Sequence, residues 1–263
     1  MTEHETAVRI DRRERVGEVV LARPERRNAL DYAAVLELVT ALRELEDDAA
    51  IGAVLVYGEG PSFCAGGDLG EFQRGLTTPA YDFHRGGAGW AELMLLIPQM
   101  AKPVVVAPHG HALAGGCGIV AAADLAIAAD DTVLGTSEIK IGLFPIIVYP
   151  TLVNAVGARI AREMALTGRR VGAEEACRLG LVHRVVAAGD HLESARAAAA
   201  ELAAYGRHAL AMGKWFMNQV EDLPIEQATG FAQSIRGSFM SSPDFAEGVA
   251  AFAEKRPPLF RDG

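Results

Sequence analysis

The sequence predicts an α/β fold in which short buried strands alternate with helices, followed by a helical C-terminal segment. Residues 51–57 (IGAVLVY) and 102–108 (KPVVVAP) are short continuous apolar runs, typical of strands that are buried on both faces. Residues 123–129 (ADLAIAA) repeat this pattern more weakly, and residues 192–205 are Ala-rich with a helical pattern. Strands that alternate with helices favour a layered α/β architecture.

The chain opens with a predicted β-hairpin. Residues 7–11 and 17–22 are strand-like and flank the charged turn at 12–15 (RRER). Asn28 or Asp31 can then cap a helix, because short polar side chains accept hydrogen bonds from the first free backbone amides. The apolar positions of this helix recur at helical spacing, at Ala34, Leu36, Val39 and Leu42.

Two other stretches lack a strand pattern. Residues 75–90 are rich in glycine and aromatic residues without clear periodicity, so we expect a mobile segment or an irregular helix that could cover a site. After residues 222–224 (DLP), a second helical stretch leads to the polar end at 254–263. Helices with more apolar surface than one small segment can bury usually pack on the body of the protein or on a partner subunit.

Composition argues against several classes of protein. With 263 residues, half of them hydrophobic, the chain can bury one substantial core. The net charge of -9 disfavours binding to nucleic acid or to an anionic membrane, so neither is an expected partner. Three cysteines without CxxC or Cys/His spacing suggest neither a disulfide framework nor a metal site. The N-terminus lacks an apolar signal segment, and we expect a cytoplasmic protein.

Glycine-rich segments follow two of the predicted strands, at residues 63–69 (FCAGGDL) and 110–118 (GHALAGGCG). Glycine lets backbone N–H groups approach a ligand closely, and the second segment leads into a helix-prone stretch with a positive N-terminus. Both segments are therefore candidates for an anion site. The alternative is that both are only tight turns between a strand and a helix. Neither has the GxGxxG or the Walker pattern.

Four motifs follow one another along the chain: 23–30 (RPERRNAL), 63–69 (FCAGGDL), 111–118 (HALAGGCG) and 137–145 (SEIKIGLFP). Their order and spacing resemble the enoyl-CoA hydratase/isomerase (crotonase) family, and the similarity continues through 166–182 to 247–257. The resemblance implies a crotonase-like spiral of ββα units at residues 1–195, which would hold CoA and the active site. It also implies a C-terminal helical trimerisation region at residues 196–263.

The resemblance also implies a substrate and an assembly. The expected partner is an acyl-CoA thioester, and no cofactor is expected beyond the coenzyme A of that substrate. The expected assembly is a homotrimer or a hexamer of two stacked trimers. The acyl chain itself is not specified, because the apolar and aromatic stretches that would line its pocket carry no spacing rule for chain shape.

In similar proteins an oxyanion hole made of two backbone amides binds the thioester oxygen as it becomes an enolate. By this resemblance the two amides belong to Gly67 and Gly115, and each such donor typically contributes about 3–4 kcal/mol to transition-state stabilisation. Arg26 is a candidate for contact with the CoA phosphates, with a solvated charged turn as the equal alternative. The adenine and pantetheine path would be lined by Ala65, Gly67, Asp68 and Leu69.

Proton transfer in similar hydratases uses a pair of glutamates, and here one of them is absent. The first position is occupied by Gly118, and the second matches Glu138. Burial next to an apolar acyl pocket can raise the pKa of a carboxyl group towards neutrality, as a general acid/base requires. The structural alternative for Glu138 is a surface or capping glutamate before a helix; the family match favours catalysis.

Hydration, double-bond migration and a non-catalytic role are the three main alternatives. Similar proteins also catalyse dehalogenation, decarboxylation and C–C hydrolysis, and the residues that those reactions would use are not identified in this sequence. One glutamate suffices for double-bond migration between the 3-enoyl and 2-enoyl positions, as in isomerases. Hydration is placed slightly ahead, because residues 142–150 (GLFPIIVYP) resemble bacterial hydratases similar to methylglutaconyl-CoA hydratases that also lack the first glutamate. The third possibility is an acyl-CoA binding protein that lost catalysis at Gly118.

Several other side chains are considered as a second proton donor: His84, His109, His111 and Tyr149. For His109 and His111, packing or hydrogen bonding near a strand end is favoured over catalysis. We expect Asp124 to cap or brace the strand that follows it. Cys117 has no base beside it in sequence, so a buried, unreactive thiol is expected.

Overall fold

The computed structural model describes residues 6–79 and 87–260. Its strands are β1 (Val8–Arg13), β2 (Val16–Leu21), β3 (Ala53–Gly58), β4 (Val104–Ala107), β5 (His111–Leu113), β6 (Leu125–Ala129), β7 (Val133–Gly135), β8 (Val171–Gly172) and β9 (Arg184–Val186). Its α-helices are α1 (Tyr32–Asp47), α2 (Leu69–Gly75), α3 (Ala88–Gln99), α4 (Gly115–Ala122), α5 (Tyr149–Thr167), α6 (Ala173–Leu179), α7 (His191–Ala203), α8 (Arg207–Val220), α9 (Ile225–Met240) and α10 (Pro243–Glu254). Short 3₁₀ helices span Pro24–Arg26 and Glu138–Ile141.

The main sheet has six strands in the order β1-β2-β3-β4-β6-β9. β1 and β2 form the predicted antiparallel hairpin, with Val8 opposite Leu21, and the remaining neighbours are parallel. The three apolar runs predicted to be strands become β3, β4 and β6, which confirms the α/β class. Every residue of β3 and β4 is buried, as expected of parallel strands covered on both faces.

A second sheet has the order β5-β7-β8, with β5 and β7 parallel and β7 and β8 antiparallel. These strands were not predicted from the sequence. They contain only two or three residues each, so no alternation of polar and apolar positions can develop. The predicted glycine-rich segment at 110–118 therefore includes a short strand, β5, before the helix α4 begins at Gly115.

Helix α1 covers one face of the main sheet. Asp31 caps it by accepting a hydrogen bond from Ala34 N–H at 2.9 Å, so the cap is Asp31 and not Asn28. Asn28 instead lies buried in the preceding turn, where its amide donates to the carbonyls of Glu59 and Ser62. Asn28 is not the cap because its side chain instead ties this turn to the chain that follows β3.

Helix α7 covers the opposite face of the sheet with four buried alanines, Ala195, Ala198, Ala199 and Ala203. Small side chains let the helix approach the strands closely. The predicted boundary between residues 195 and 196 lies inside this helix, so the part of α7 beyond residue 195 packs with the core. The division into a core and an oligomerisation region otherwise stays a prediction.

Part of the stretch at 75–90 lies in helices. Helix α2 ends at Gly75 and helix α3 begins at Ala88, while residues 80–86 lie outside the described residues. The buried side chains of α3 include Trp90, Leu93, Met94 and Ile97, which have the i, i+3, i+4, i+7 spacing of an amphipathic helix. This helical spacing begins only at Trp90, the last residue of the stretch 75–90, so it is not visible within that stretch.

The last three helices, α8 to α10, carry much exposed apolar surface. No residue of α9 is buried, and the side chains of Ile225 and Phe252 are 72% and 87% exposed. Helix α8 is anchored by buried Lys214, whose ammonium group lies 2.6 Å from the Asp124 carboxylate. Within the described part of the chain, none of the helices combines the length and apolarity needed to cross a bilayer.

Candidate active site

The two glycine-rich segments lie against each other. Cys64 N–H donates to His111 O at 3.0 Å, and Leu113 N–H donates to Cys64 O at 2.9 Å. Gly66 has a φ of +93°, and a methyl group placed on it would lie 2.8 Å from Leu113 O and 3.3 Å from Gly115 N. Only glycine fits this junction, because an added carbon would strain the backbone and meet the neighbouring segment. The contact brings Gly67, the next residue, to the N-terminus of α4.

Gly67 and Gly115 each have an available backbone amide. The chain on either side of Gly67 is paired with Leu30, through Leu30 N–H to Gly66 O at 2.9 Å and Asp68 N–H to Leu30 O at 3.1 Å. Gly115 is the first residue of α4, where amides have no partner within the helix. Among the residues that the structure describes, neither amide donates to an acceptor of the chain. Both amides are therefore candidates for binding a ligand oxygen, and the helix dipole favours negative charge beside Gly115.

Glu138 reaches the same end of the molecule through the strand next to β5. β5 and β7 are parallel, with Leu113 opposite Gly135, and Ala114 N–H donates to Gly135 O at 2.8 Å. β5 leads directly to Gly115, and β7 leads three residues later to Glu138. Parallel strands present the residues that follow them at one edge of the sheet. The two predicted residues therefore leave neighbouring strands at a common edge.

The Glu138 carboxyl group is shielded from water. The residue is half-buried, and its Oε2 is buried without a hydrogen-bond partner in the described part of the chain. This desolvation raises the pKa of Glu138 above its usual value, and a hydrogen bond from its own backbone amide opposes the rise only partly. Burial is the main cause of the raised pKa of Cys117 in the first turn of α4, and the charge of Glu138 adds to it, so the two groups lie within electrostatic range of each other.

Two glycines hold the short helix that carries Glu138. Gly142 ends it with a φ of +81° and donates to Ile139 O at 3.1 Å, while Leu143 N–H donates to Glu138 O at the same distance. Gly168, with a φ of +58°, ends α5 beside Ile139, and a methyl group there would lie 2.7 Å from Ile139 Cγ2. The main chain of Glu138 is therefore fixed from both sides, and its side chain is directed by that frame.

The raised pKa predicts how stability depends on pH. Below about pH 4.5, the usual value for this group, Glu138 is protonated in both the folded and the unfolded chain. As the pH rises through the interval up to the folded-state pKa, the unfolded chain loses its proton first, so the free energy of unfolding decreases. We therefore expect Glu138→Gln to raise the melting temperature at pH 8 more than at pH 4. A scan of melting temperature against pH for both proteins tests this; equal shifts at both pH values would contradict it.

The residues predicted to line the CoA path differ in their surroundings. Arg26 Nη2 lies 2.7 Å from Asp68 Oδ2, and the Asp68 side chain is almost fully buried. Asp68 Oδ1 also caps α2 by accepting from Glu71 N–H at 3.0 Å. Asp68 and Arg26 therefore fix the shape of the loop. Leu69 is 61% exposed, whereas Ala65 is half-buried, so Leu69 is the more accessible of these two apolar side chains.

Gly118 occupies the position of the first glutamate of the family's pair, and its surroundings are apolar. A methyl group placed on Gly118 would lie 2.9 Å from Met94 Sδ and 3.0 Å from Val148 Cγ2. Both of these side chains are only 4% exposed. The space beside Gly118 is filled, so a glutamate there would have to displace Met94 and Val148. Sequence reasoning missed both residues, although Met94 belongs to the helical spacing of α3.

Of the other side chains considered as proton donors, His109 has a hydrogen-bonding partner. His109 Nε2 contacts Gly60 O at 2.9 Å, and its ring lies 4.9 Å from that of His191. His111 is the first residue of β5, and Tyr149 packs near Phe144 at 5.9 Å between ring centres. Asp124 accepts from Val104 N–H at 2.7 Å, so it braces β4 and not β6, the following strand that it was predicted to cap or brace. His84 lies outside the described residues.

Cys117 is buried, and burial raises the pKa of its thiol to about 12, which leaves it protonated and unreactive at neutral pH. The described residues contain no group of three or more His, Cys, Asp or Glu side chains placed to hold a metal ion.

Comparison with known proteins identifies the family. The family model described as enoyl-CoA hydratase/isomerase matches residues 11–263. A Thermus thermophilus protein whose name places it among enoyl-CoA hydratases is 37% identical over 245 residues, covering 93% of this chain and 97% of that protein. Carnitinyl-CoA dehydratase of Shigella flexneri is 34% identical, with 93% and 94% covered. The crystal structure of a Mycobacterium smegmatis enoyl-CoA hydratase has a TM-score of 0.90 at 36% identity, covering 97% of this chain and 98% of that one. The chain therefore has the crotonase fold and belongs to the enoyl-CoA hydratase/isomerase family.

Proposed function

We propose that this protein hydrates a 2-enoyl-CoA, with the amides of Gly67 and Gly115 as the oxyanion hole and Glu138 as the general acid/base. The observation that carries the proposal is the Glu138 carboxyl group. It is desolvated, it has a raised pKa and a buried oxygen without a partner, and it lies within electrostatic range of Cys117 in the first turn of the helix that presents Gly115. A carboxyl group with these properties can accept and return a proton near neutral pH.

In the proposed reaction the two amides bind the thioester oxygen, and Glu138 acts first as a base and then as an acid. The thioester carbonyl oxygen accepts hydrogen bonds from Gly67 N–H and Gly115 N–H, which polarises the conjugated double bond. Glu138 removes a proton from water as the water oxygen bonds to C3, and the electron pair of the double bond moves onto the carbonyl oxygen as an enolate. Protonated Glu138 then returns its proton to C2. The product is a 3-hydroxyacyl-CoA, and the carboxylate is regenerated.

Double-bond isomerisation is the second candidate, favoured by the packing around Gly118. Met94 and Val148 occupy the space of a second carboxylate, so no second acidic side chain is available there to hold water. With Glu138 alone, a proton taken from C2 of a 3-enoyl-CoA and returned to C4 gives the 2-enoyl-CoA. A protein that only binds acyl-CoA is the third candidate, and the buried, unpaired Glu138 oxygen argues against it.

Assembly and CoA binding are part of the same proposal. The exposed apolar side chains of α8 to α10, among them Phe252 and Ile225, support a homotrimer or a hexamer of two trimers, because such patches usually pack against a partner. Exposed Leu69 and the loop fixed by Asp68 and Arg26 support the predicted path for the pantetheine and adenine. Sedimentation at micromolar concentration tests the assembly, and a monomer would contradict it.

Proton NMR in deuterated water tests the reaction. Wild-type protein is incubated with crotonyl-CoA and, separately, with 3-hexenoyl-CoA. We expect crotonyl-CoA to give 3-hydroxybutyryl-CoA. If the double bond of 3-hexenoyl-CoA migrates and no 3-hydroxyacyl product forms from either substrate, the protein is an isomerase and not a hydratase. Binding without reaction and without deuterium exchange at the α carbon would leave the non-catalytic role.

A further inference from the structure

Helix α3 packs along α4 at Gly115, one of the two residues of the proposed oxyanion hole. Trp90 and Met94 lie one turn apart on α3, and they meet Gly115 and Gly118, which lie three residues apart on α4. Residues at these spacings share one face of their helix. Met94, only 4% exposed, fixes the register of the contact, because its sulfur fills the space beside Gly118. Trp90 is thereby held over Gly115.

The indole of Trp90 occupies the face of Gly115 completely. A methyl group placed on Gly115 would lie 2.3 Å from Cζ3 and from Cη2 of the ring. Carbon atoms that are not bonded to each other do not approach this closely. Trp90 is 8% exposed, so neighbouring side chains leave the ring little freedom to move away. A large rigid ring in this position forms an apolar wall at the α carbon of Gly115, next to its amide, and presents ring carbons to the glycine.

From this packing we infer that Trp90 is a specificity-determining residue, which selects acyl-CoA thioesters that carry no branch on the α carbon. The inference rests on the proposed function, in which Gly115 N–H binds the thioester oxygen. The α carbon is two bonds away from that oxygen, and the oxygen lies a hydrogen-bond length from the amide, so the α carbon binds in the space next to Gly115. A substituent on it competes with the indole for space that is already filled. One extra methyl or methylene group against such a wall typically changes selectivity by about 10- to 200-fold.

Fluorescence tests whether Trp90 lies at the acyl site. The chain has two tryptophans, and Trp215 is 43% exposed on α8. Trp215→Phe leaves Trp90 as the only indole, and Trp90→Phe leaves Trp215, which makes a matched pair. We titrate both with butyryl-CoA, a saturated thioester that cannot be hydrated, and measure binding in parallel by calorimetry. The emission of Trp215→Phe should change in step with the heat of binding, and that of Trp90→Phe should not.

Substrate selectivity tests whether Trp90 excludes a branch on the α carbon. Tiglyl-CoA carries one methyl group on the α carbon of crotonyl-CoA, and the ratio of kcat/KM for the two substrates is compared between variants. We expect Trp90→Ala to shift this ratio towards tiglyl-CoA about tenfold or more, with Trp90→Phe in between. The ratio of Kd for butyryl-CoA and 2-methylbutyryl-CoA should shift in the same direction, and this readout does not require turnover.

Two results would overturn the inference while leaving the proposed function intact: unchanged ratios in Trp90→Ala, or saturable butyryl-CoA binding without a response of Trp90. Absence of any heat with butyryl-CoA would contradict the proposed function itself and remove this inference with it. Turnover of crotonyl-CoA by the wild-type protein, together with a shifted ratio of Kd values in Trp90→Ala, would support both the proposed function and the role of Trp90.

Discussion

Glu138→Gln is expected to lower turnover of the CoA ester by about two orders of magnitude or more, with little change in its binding. The amide has nearly the shape of the carboxyl group, so the surroundings of residue 138 and the amides of Gly67 and Gly115, proposed as the oxyanion hole, should stay in place. It cannot accept a proton near neutral pH, so neither water nor the substrate α carbon can be deprotonated. Steady-state kinetics gives the loss in kcat, and calorimetry with butyryl-CoA gives the affinity.

The matched control for this variant is Glu174→Gln, which changes an exposed glutamate in the first turn of α6. It removes the same charge and should leave kcat unchanged. The wild-type rate should also fall at low pH, with an apparent pKa above the usual 4.5 because burial raises the pKa of Glu138. Full activity of Glu138→Gln would mean that another group is the base, and His84 would be the next candidate.

Gly115→Ala is expected to lower kcat by about 10²- to 10³-fold, the typical effect of losing one oxyanion donor. Alanine suits the first turn of a helix, so the substitution itself imposes no backbone strain. Its methyl group would lie 2.3 Å from the Trp90 ring, so either the ring or the N-terminus of α4 must move. Movement of the helix withdraws the amide from the thioester oxygen. Single-turnover kinetics separates this effect from product release.

A second variant distinguishes displacement of the amide from general loss of structure. Gly115→Ala combined with Trp90→Ala removes the clash, and we expect it to recover at least tenfold of the lost kcat. Gly172→Ala serves as the control, because no atom lies within 4 Å of a methyl group at that position. A Gly115→Ala protein with full activity and wild-type stability would contradict the placement of its amide in the oxyanion hole.

The sequence by itself determined the fold class and the family. Three apolar runs specified β3, β4 and β6, because strands buried on both faces must be apolar at every position. Asp31 was one of two possible caps, and only the contacts of Asn28 with Glu59 and Ser62 decided between them. The motifs around Gly67, Gly115 and Glu138 named the candidate residues by resemblance. The glycines of the first two motifs are explained by the structure, since the two chain segments meet at Gly66 too closely for a side chain.

Only the tertiary structure decided what surrounds these residues. The sheet β5-β7-β8 consists of strands too short to have a pattern of their own, yet it brings the chain before Gly115 next to the chain before Glu138. The sequence showed that Gly118 lacks a carboxylate, but it could not show that Met94 and Val148 fill the space. Local patterns record which face of an element is buried; they do not record which partner covers it. The roles proposed for Trp90 and Met94 depend on that pairing of α3 with α4, since the physical effect of a side chain is set by what it packs against.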